Sequence, residues 1–253
     1  MLNIFAIFTI VKLRIREFFF EYHYSIFAPL ISNILFVIIF SAIGRMYSLR
    51  QENLSLVDFL VPGLILMIVA KESFDNPSQS IINSKQIGSF NDFLIAPLSR
   101  LEIFFAYVFS QILIGFIIGV INFLALSYFI SFNIFSFFYF FYYIFLAIIF
   151  FSSIGSVVGF LSYKWDTQST VSNFFISPVI FLSGTFFSIN SLPDNFKFIL
   201  FYNPYYYIVK YFRDSFYINF EINYFINFLI FVFVFLSFIF SGLIFYKGYN
   251  VIK

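Results

Sequence analysis

Long apolar segments separated by short polar intervals follow one another along the whole chain. Six of them are predicted membrane spans: residues 26–43, 56–74, 103–130, 135–161, 171–187 and 225–246. Such runs can satisfy their backbone polar groups in lipid only as helices. A β-barrel needs strands of alternating character, and residues 222–245 do not alternate. The pattern therefore predicts an all-α integral membrane protein with a single domain over residues 1–253.

The second of these segments is the weakest. Pro62 and Gly63 interrupt its apolar core, and Lys71 and Glu72 directly follow that core. A charge at the centre of a bilayer costs about 2.5–3.5 kcal/mol even on lenient scales. We therefore expect both charged residues at the end of the span.

The first 24 residues carry apolar and charged positions on opposite arcs of a helix. The apolar positions are Phe8, Val11, Ile15, Phe18 and Tyr22. The charged positions are Lys12, Arg14, Arg16, Glu17 and Glu21. This pattern predicts an amphipathic helix over residues 1–24 that lies in the headgroup plane. A helix that packs only against the rest of the bundle stays open as the alternative.

The composition supports the membrane interpretation and excludes several other classes. Apolar residues make up 62% of the chain and charged residues 10%, whereas a soluble domain carries roughly 25% charged residues. No soluble domain fits between the spans. Without cysteine the chain has no disulfide, no thiolate metal site and no cysteine nucleophile. Its net charge of +2 is too small to suggest binding of nucleic acid.

The distribution of lysine and arginine predicts that both termini are cytoplasmic. In that orientation the cytoplasmic side holds Lys12, Arg14, Arg16, Lys71, Lys85, Arg100, Lys164, Lys247 and Lys253. The outer side then holds Arg45, Arg50, Lys197, Lys210 and Arg213. An excess of basic residues marks the cytoplasmic side of a membrane protein.

Motifs for nucleotide binding and catalysis are absent from the sequence. No GxxxxGK[ST] occurs, which excludes ATP binding by that route, and the single histidine leaves no credible Ser/His/Asp arrangement. We therefore predict a non-catalytic chain that binds no cofactor or metal ion. The spans are also nearly free of ionisable residues, which weighs against an ion-coupled carrier without excluding it.

Two GxxxG patterns lie within predicted spans. Gly115 and Gly119 belong to the third span, and Gly155 and Gly159 belong to the fourth. Small residues let two helices approach closely. Packing within the bundle is favoured as their role, and an interface between two copies of the chain is the alternative.

Several segments together carry a family resemblance. They are LVPGLILM (60–67), SFDNPSQSI (73–81), SKQIGSFNDFLIAPLSRLE (84–102), SGTFFSINSLPDNF (183–196) and NPYYYIVKYFRDSF (203–216). In their order and in their spacing relative to six spans, they resemble the permease subunits of ABC type-2 exporters. Individually these motifs are loose, and their combination is fairly specific.

The resemblance implies a coupling helix within residues 75–101 that docks on a separate ATPase subunit. The implied contact residues are Ser78, Ile81, Ile82, Lys85, Gly88, Ser89 and Phe90. The implied structural motif positions are Pro62, Gly63, Pro97, Leu98, Ser183, Gly184, Pro193, Asn203 and Pro204. Many relatives carry an acid and a base where this chain has Gln86 and Ile87. The resemblance also implies short re-entrant helices on the outer side, over residues 189–224.

By this resemblance the chain is expected to be the permease subunit of an ATP-driven exporter in the cytoplasmic membrane of a bacterium. It is expected to form the translocation pathway as a homodimer, or with a sister subunit, while ATP and Mg²⁺ bind to the partner ATPase. Aromatic-rich spans slightly favour an amphiphilic substrate, such as a lipid-linked glycan, a drug or a lipid-like molecule. The alternatives are an ion-coupled secondary transporter or channel without an ATPase, and a membrane protein without a transport role.

Overall fold

Helices make up nearly all of the structure, a computed structural model that describes residues 4–47, 50–51, 54–96, 98–129, 134–216 and 223–247. The α-helices are α1 Ile4–Phe20, α2 Ala28–Tyr47, α3 Leu56–Ile87, α4 Phe90–Ile95, α5 Arg100–Ser127, α6 Phe137–Leu161, α7 Trp165–Val171, α8 Ser177–Phe181, α9 Asp194–Tyr202, α10 Pro204–Asp214 and α11 Tyr224–Lys247. A turn of π-helix at His23–Phe27 precedes α2, and another at Ser172–Ile176 joins α7 to α8. A 3₁₀ turn covers Ile189–Ser191. Strands β1 (Arg50–Gln51) and β2 (Leu54–Ser55) form a short antiparallel pair.

Helix α3 is the axis of the bundle, with buried positions all around it. Helix α6 packs beside it in the same direction, because Gly155 meets Phe74 and Gly159 meets Ser78. Side chains from both helices fill the main apolar core. The two parallel helices therefore form the centre around which the other elements are arranged.

Among the described residues, six helical passes connect two ends of the bundle. We name these the Lys85 end and the Arg213 end after a basic residue at each. Helices α3, α6 and α11 run toward the Lys85 end, and α2, α5 and the α7–α8 segment run toward the Arg213 end. Gly44, late in α2, meets the start of α3. Arg100, at the start of α5, donates to the carbonyl of Tyr246 near the end of α11.

Four of these passes are long and apolar enough to cross a membrane: His23–Gly44, Arg100–Ser127, Phe137–Leu161 and Tyr224–Lys247. They correspond to the predicted first, third, fourth and sixth spans, and the predicted class of helical membrane protein is confirmed. The α7–α8 segment consists of consecutive helical pieces of 7, 5 and 5 residues, and its first piece is polar. The second and fifth spans stay predictions.

Helix α3 continues well past residue 74, the predicted end of the second span. It contains 32 residues, a length of about 48 Å at about 1.5 Å per residue, whereas the hydrocarbon core of a bilayer is about 30 Å thick. Ser55 caps its N-terminus by accepting from the Asp58 N–H. The helix ends at Gly88, where a φ of 88° favours glycine. Residues 75–87 of the interval 75–101, which was expected to hold a separate coupling helix, are thus an extension of α3.

Helices α9 and α10 form a hairpin within the predicted outer segment, residues 189–224. Its closed end lies inside the bundle, because Asn203 Nδ2 donates to two carbonyls near the end of α8, at 2.7 and 2.9 Å. The hydroxyl of Tyr205 donates to the Leu66 carbonyl at 2.7 Å, well inside α3. Two short helices are present as expected, and residues 217–222 lie outside the described part of the chain.

Helix α1 packs along α5, where Ile10 and Val11 are buried in one cluster with Ala106. Of the predicted apolar face, Val11 and Phe18 are buried, whereas Phe8 and Tyr22 are not covered by this chain. The buried arc includes Ile10, so the face toward α5 is rotated from the predicted stripe. Contact with the bundle is therefore established, and a position in the headgroup plane stays a prediction.

Candidate functional site at the Lys85 end

Lys85, in the last turn of α3, forms hydrogen bonds to the C-terminal end of α6. Its ammonium donates to the carbonyls of Gly159 at 3.0 Å, of Phe160, and of Ser162 at 3.1 Å. Carbonyls at the end of a helix have no intrahelical donor and carry the negative end of its dipole. A cation from the neighbouring helix therefore satisfies and stabilises this terminus.

Three aromatic rings surround the same ammonium. The Lys85 Nζ lies 4.8 Å from the ring centroid of Tyr163, 5.2 Å from that of Phe160 and 5.7 Å from that of Phe90. Rings at such distances attract a cation through their quadrupoles. Burial lowers the pKa of Lys85 to about 8, so most of the population is still charged at neutral pH.

Asp75 accepts hydrogen bonds that join the extension of α3 to the α7–α8 segment. Its Oδ1 accepts from Gln168 Nε2 at 2.7 Å and from Ser172 Oγ at 2.9 Å. Burial raises the pKa of the Asp75 carboxyl above its usual value, against the two hydrogen bonds, which lower it. Nearer the end of α3, the Trp165 indole N–H donates to Gln86 Oε1 at 2.6 Å. The extension of α3 is thus held by α6 on one side and by α7 on another.

The turn from α3 to α4 is exposed and partly apolar, and we call residues 87–95 the α3–α4 tip. Ile87 is 73% exposed and Ile95 is 83% exposed. Within the described part of the chain, no atom lies within 4 Å of the position that a Gly88 side chain would occupy. Two large aliphatic side chains beside an open turn form a surface that a partner protein can cover.

Most of the predicted ATPase-contact residues point into this chain instead of away from it. The buried ones are Ser78, Ile81, Ile82 and Phe90. Because α3 continues without a break, these positions pack against its neighbours, and Lys85 is engaged with α6. Phe90 is thus buried although it lies at the tip, whereas Gly88 and Ser89 lie at the tip and are not buried. Contact of the predicted set with an ATPase stays a prediction.

The entry into α5 is fixed by its own N-terminal signal. Ser99 accepts from the Glu102 N–H, and the Glu102 carboxylate accepts from the Ser99 N–H, a reciprocal capping box. Leu98 packs between α1 and α5. Pro97, predicted to break the chain before this helix, lies outside the described residues.

The four glycines of the GxxxG patterns lie at contacts between helices of the same chain. A Cβ on Gly155 would lie 2.4 Å from a carbonyl oxygen of α3, and one on Gly159 would lie 2.7 Å from α3 backbone atoms. Gly115 and Gly119 face side chains of α6 and α3. Only a residue without a side chain allows α6 to approach α3 this closely.

The remaining family motifs meet at the Arg213 end. A Cβ on Gly63 would lie 3.0 Å from Thr185. The Arg213 guanidinium donates to the Phe59 carbonyl at 3.0 Å and to the Gly184 carbonyl at 2.8 Å, and it lies 3.7 Å from the Phe59 ring centroid. One buried cation thus joins the start of α3, the segment after α8, and α10.

The other predicted motif positions at this end differ in exposure. Pro62, Ser183 and Asn203 are buried, Pro204 is half-buried as the first residue of α10, and Pro193 is exposed. Ser183 donates to the Ile180 carbonyl at 2.6 Å and so helps to close the end of α8.

Arg213 was not among the predicted site residues. A signal is nevertheless present, because Tyr205, Val209 and Arg213 recur at every fourth position of α10 and all three are buried. A charge in register with two core positions indicates that its head group is bound inside the protein.

At the Lys85 end, a polar cleft of about 300 Å³ lies between α1 and α3. It is lined by Arg14, Glu17, Phe18, Glu21, Ser25, Asn76, Gln79, Ser80, Asn83, Ile114 and Trp165. Arg14 and Glu17 pair with one another across one turn of α1. The cleft therefore presents amides, hydroxyls and carboxylates at the Lys85 end of an otherwise apolar molecule.

The sequence of this chain is similar to a known protein family and to several known proteins. The model of the family described as ABC-2 type transporter matches residues 6–217. The chain is 28% identical over 193 residues to the Escherichia coli K12 protein named inner membrane transport permease YadH, and the match covers 74% of this chain and 73% of that one. The protein of the same name from Shigella flexneri matches over the same length with the same identity.

Proposed function

Because this chain belongs to the ABC-2 type transporter family, we propose that it is the permease subunit of an ATP-driven exporter whose nucleotide hydrolysis takes place on a separate chain. It is a membrane transport permease of that family. A separate motor is required by the proposal because no GxxxxGK[ST] is present in the sequence.

The single observation that carries the proposal is the extension of α3 beyond the length of a span. Thirteen residues follow position 74 before Gly88 ends the helix, which is about 20 Å at 1.5 Å per residue. With the predicted orientation, this extension projects into the cytoplasm and presents the α3–α4 tip to the ATPase. Ile87 and Ile95 are the apolar anchors of that contact.

The proposed topology has six spans, with both termini in the cytoplasm. It assigns the second span to the first part of α3 and the fifth to the α7–α8 segment, which lies along α3 from Asp75 to Gly63. The α9–α10 hairpin would enter the membrane from the outer side, with Asn203 at its deepest point. The low burial of the first pass, in which 11% of the residues in the most apolar stretch of His23–Gly44 are buried, supports a second permease chain at α2.

The proposed cargo is an amphiphile. In support, an entirely apolar cavity of about 310 Å³ lies between α5, α6 and α11, while the polar cleft beside α1 lies at the Lys85 end. An ion-coupled carrier remains the alternative, and it predicts flux through vesicles that hold this chain without any ATPase.

Capture of an ATP-hydrolysing partner tests the proposal. The chain purified from its own cells in mild detergent is expected to bring with it a subunit with vanadate-sensitive ATPase activity. Replacing Ile87 and Ile95 together with aspartate places charges in an apolar contact and is expected to reduce the recovered ATPase by about tenfold or more. The measurement is ATPase activity per mole of purified permease.

The matched control is Tyr128→Asp, which changes a 90% exposed aromatic residue at the opposite end of the bundle. This variant is expected to retain the ATPase. Recovery of no ATPase with the unaltered chain, or undiminished recovery with the tip variant, would contradict the proposed docking.

A further inference from the structure

Pro77 interrupts the hydrogen bonds of α3 where the predicted span gives way to the extension. It lies inside the helix, and proline has no N–H to donate to the carbonyl four residues earlier. Such positions are where helices kink under load. A force applied at the α3–α4 tip, ten residues further on, would therefore bend α3 at Pro77 if that helix acted alone.

Lys85 lies on the far side of Pro77 and joins α3 to a neighbouring helix. Its ammonium holds carbonyls at the end of α6, and α6 has no proline along its 25 residues. The backbones of α3 and α6 are in contact on both sides of Pro77, where Gly155 meets Phe74 and Gly159 meets Ser78. A path through Lys85 and α6 thus bypasses the weak point of α3.

We propose that Lys85 is a positioning residue that makes α3 and α6 a single rigid lever, so that the second and fourth spans move together when the ATPase acts on the tip. The inference rests on the proposed function for the source of the force. Along the chain, the α3–α4 tip leads directly from the second span to the third, which would favour joint movement of α3 and α5. The polar contacts instead favour α6.

The absence of cysteine allows pairs of spin labels to be introduced without other substitutions. Labels at Asn83 of α3 and Phe141 of α6, both exposed, report on the lever from one end to the other. Labels at Asn83 and Leu124, an exposed residue of α5, measure the distance from α3 to α5, a helix outside the proposed lever. Both separations are on the order of 30 Å from helix rise, within the range of pulsed electron paramagnetic resonance.

The first measurement uses the isolated chain in lipid nanodiscs without nucleotide. Lys85→Met is expected to broaden the distribution of Asn83–Phe141 distances by about twofold, because the extension then bends at Pro77. Lys85→Arg keeps the charge and is expected to retain the narrow distribution. Pro77→Ala added to Lys85→Met restores the missing N–H at this position of α3 and is expected to narrow the distribution again.

Two further variants keep this measurement decisive. Gln86→Ala removes the neighbouring bond to Trp165 and is expected to leave the distribution narrow. Lys85→Gln replaces Lys85→Met if the latter does not accumulate. A distribution unchanged by loss of the Lys85 charge, or one that Pro77→Ala fails to narrow, would overturn the proposed role of Lys85.

The second measurement uses the complex with its ATPase, before and after trapping with ATP and vanadate. The Asn83–Leu124 distance is expected to change by several ångströms, while the Asn83–Phe141 distance stays the same within about 2 Å, as for a rigid helix pair. A change of equal size in both distances would overturn the lever. If neither distance responds to ATP, the ATP-driven function fails, and the isolated chain still decides whether Lys85 holds α3 to α6.

Discussion

Gly155→Ala is expected to lower the free energy of unfolding by about 3 kcal/mol, the upper part of the range for overpacked cores. The added Cβ would lie 2.4 Å from the Phe74 carbonyl oxygen and 3.0 Å from two further backbone atoms of that residue. Backbone inside a helix cannot rotate away as a side chain can, so α6 and α3 must separate. Steric trapping in nanodiscs measures the change in unfolding free energy.

Gly119→Ala is the matched control, since it makes the same change at another buried GxxxG position. Its Cβ would meet Val69 Cγ2 at 3.3 Å and Ile144 Cδ1 at 3.4 Å. These are methyl groups that can shift by a few tenths of an ångström, and alanine also favours the helix by up to about 1 kcal/mol over glycine. We expect a change within about 1 kcal/mol. Equal destabilisation by both variants would contradict backbone contact between α3 and α6 at Gly155.

Arg213→Met is expected to destabilise the protein by about 3 kcal/mol, because each lost hydrogen bond from a buried charged group costs about 1.5–3 kcal/mol. The side chain is 5% exposed and donates to carbonyls of Phe59 and Gly184. Methionine fills similar space without a donor and leaves these carbonyls, and that of Thr185 at 3.4 Å, without this partner. Arg213→Lys keeps the charge but not the planar fork, so an intermediate loss is expected.

Lys210→Met is the control for this substitution, since Lys210 is exposed on the same helix. It is expected to change the free energy of unfolding by no more than about 0.5 kcal/mol. Both variants are compared by steric trapping in the same lipid. Similar stability of Arg213→Met and the unaltered chain would contradict a structural role for the buried guanidinium.

The four apolar passes could be predicted because long uncharged runs in a membrane protein have few alternatives to a helix. Their observed bounds differ from the predicted ones by only a few residues, as for Phe137–Leu161 against residues 135–161. The second span was harder to delimit. Its polar continuation contains Asn76, Pro77 and several serines, which favour turns over helices. Contacts with α6 and α7 hold it in a helical course.

The position of the candidate site in the chain could be predicted from the sequence, but the contacts of its side chains could not. The family resemblance pointed to residues 75–101, and the exposed tip at Gly88 and Ser89 lies within them. The orientation of Lys85 was not predictable, because its partners are backbone carbonyls of residues 159–162, which no side-chain pattern reveals. Arg213 was missed for a related reason, since its acceptors are carbonyls far away in the sequence.

The proposed docking requires the Lys85 end to face the compartment that contains ATP, and thiol labelling tests this orientation directly. Single cysteines replace Ser89 at the α3–α4 tip and Asn195 on α9, both exposed, in a chain without other thiols. In intact spheroplasts a membrane-impermeant maleimide is expected to label Asn195→Cys at once and Ser89→Cys only after permeabilisation. Labelling of Ser89→Cys in intact spheroplasts would place the tip on the outer face and contradict its docking to an ATPase.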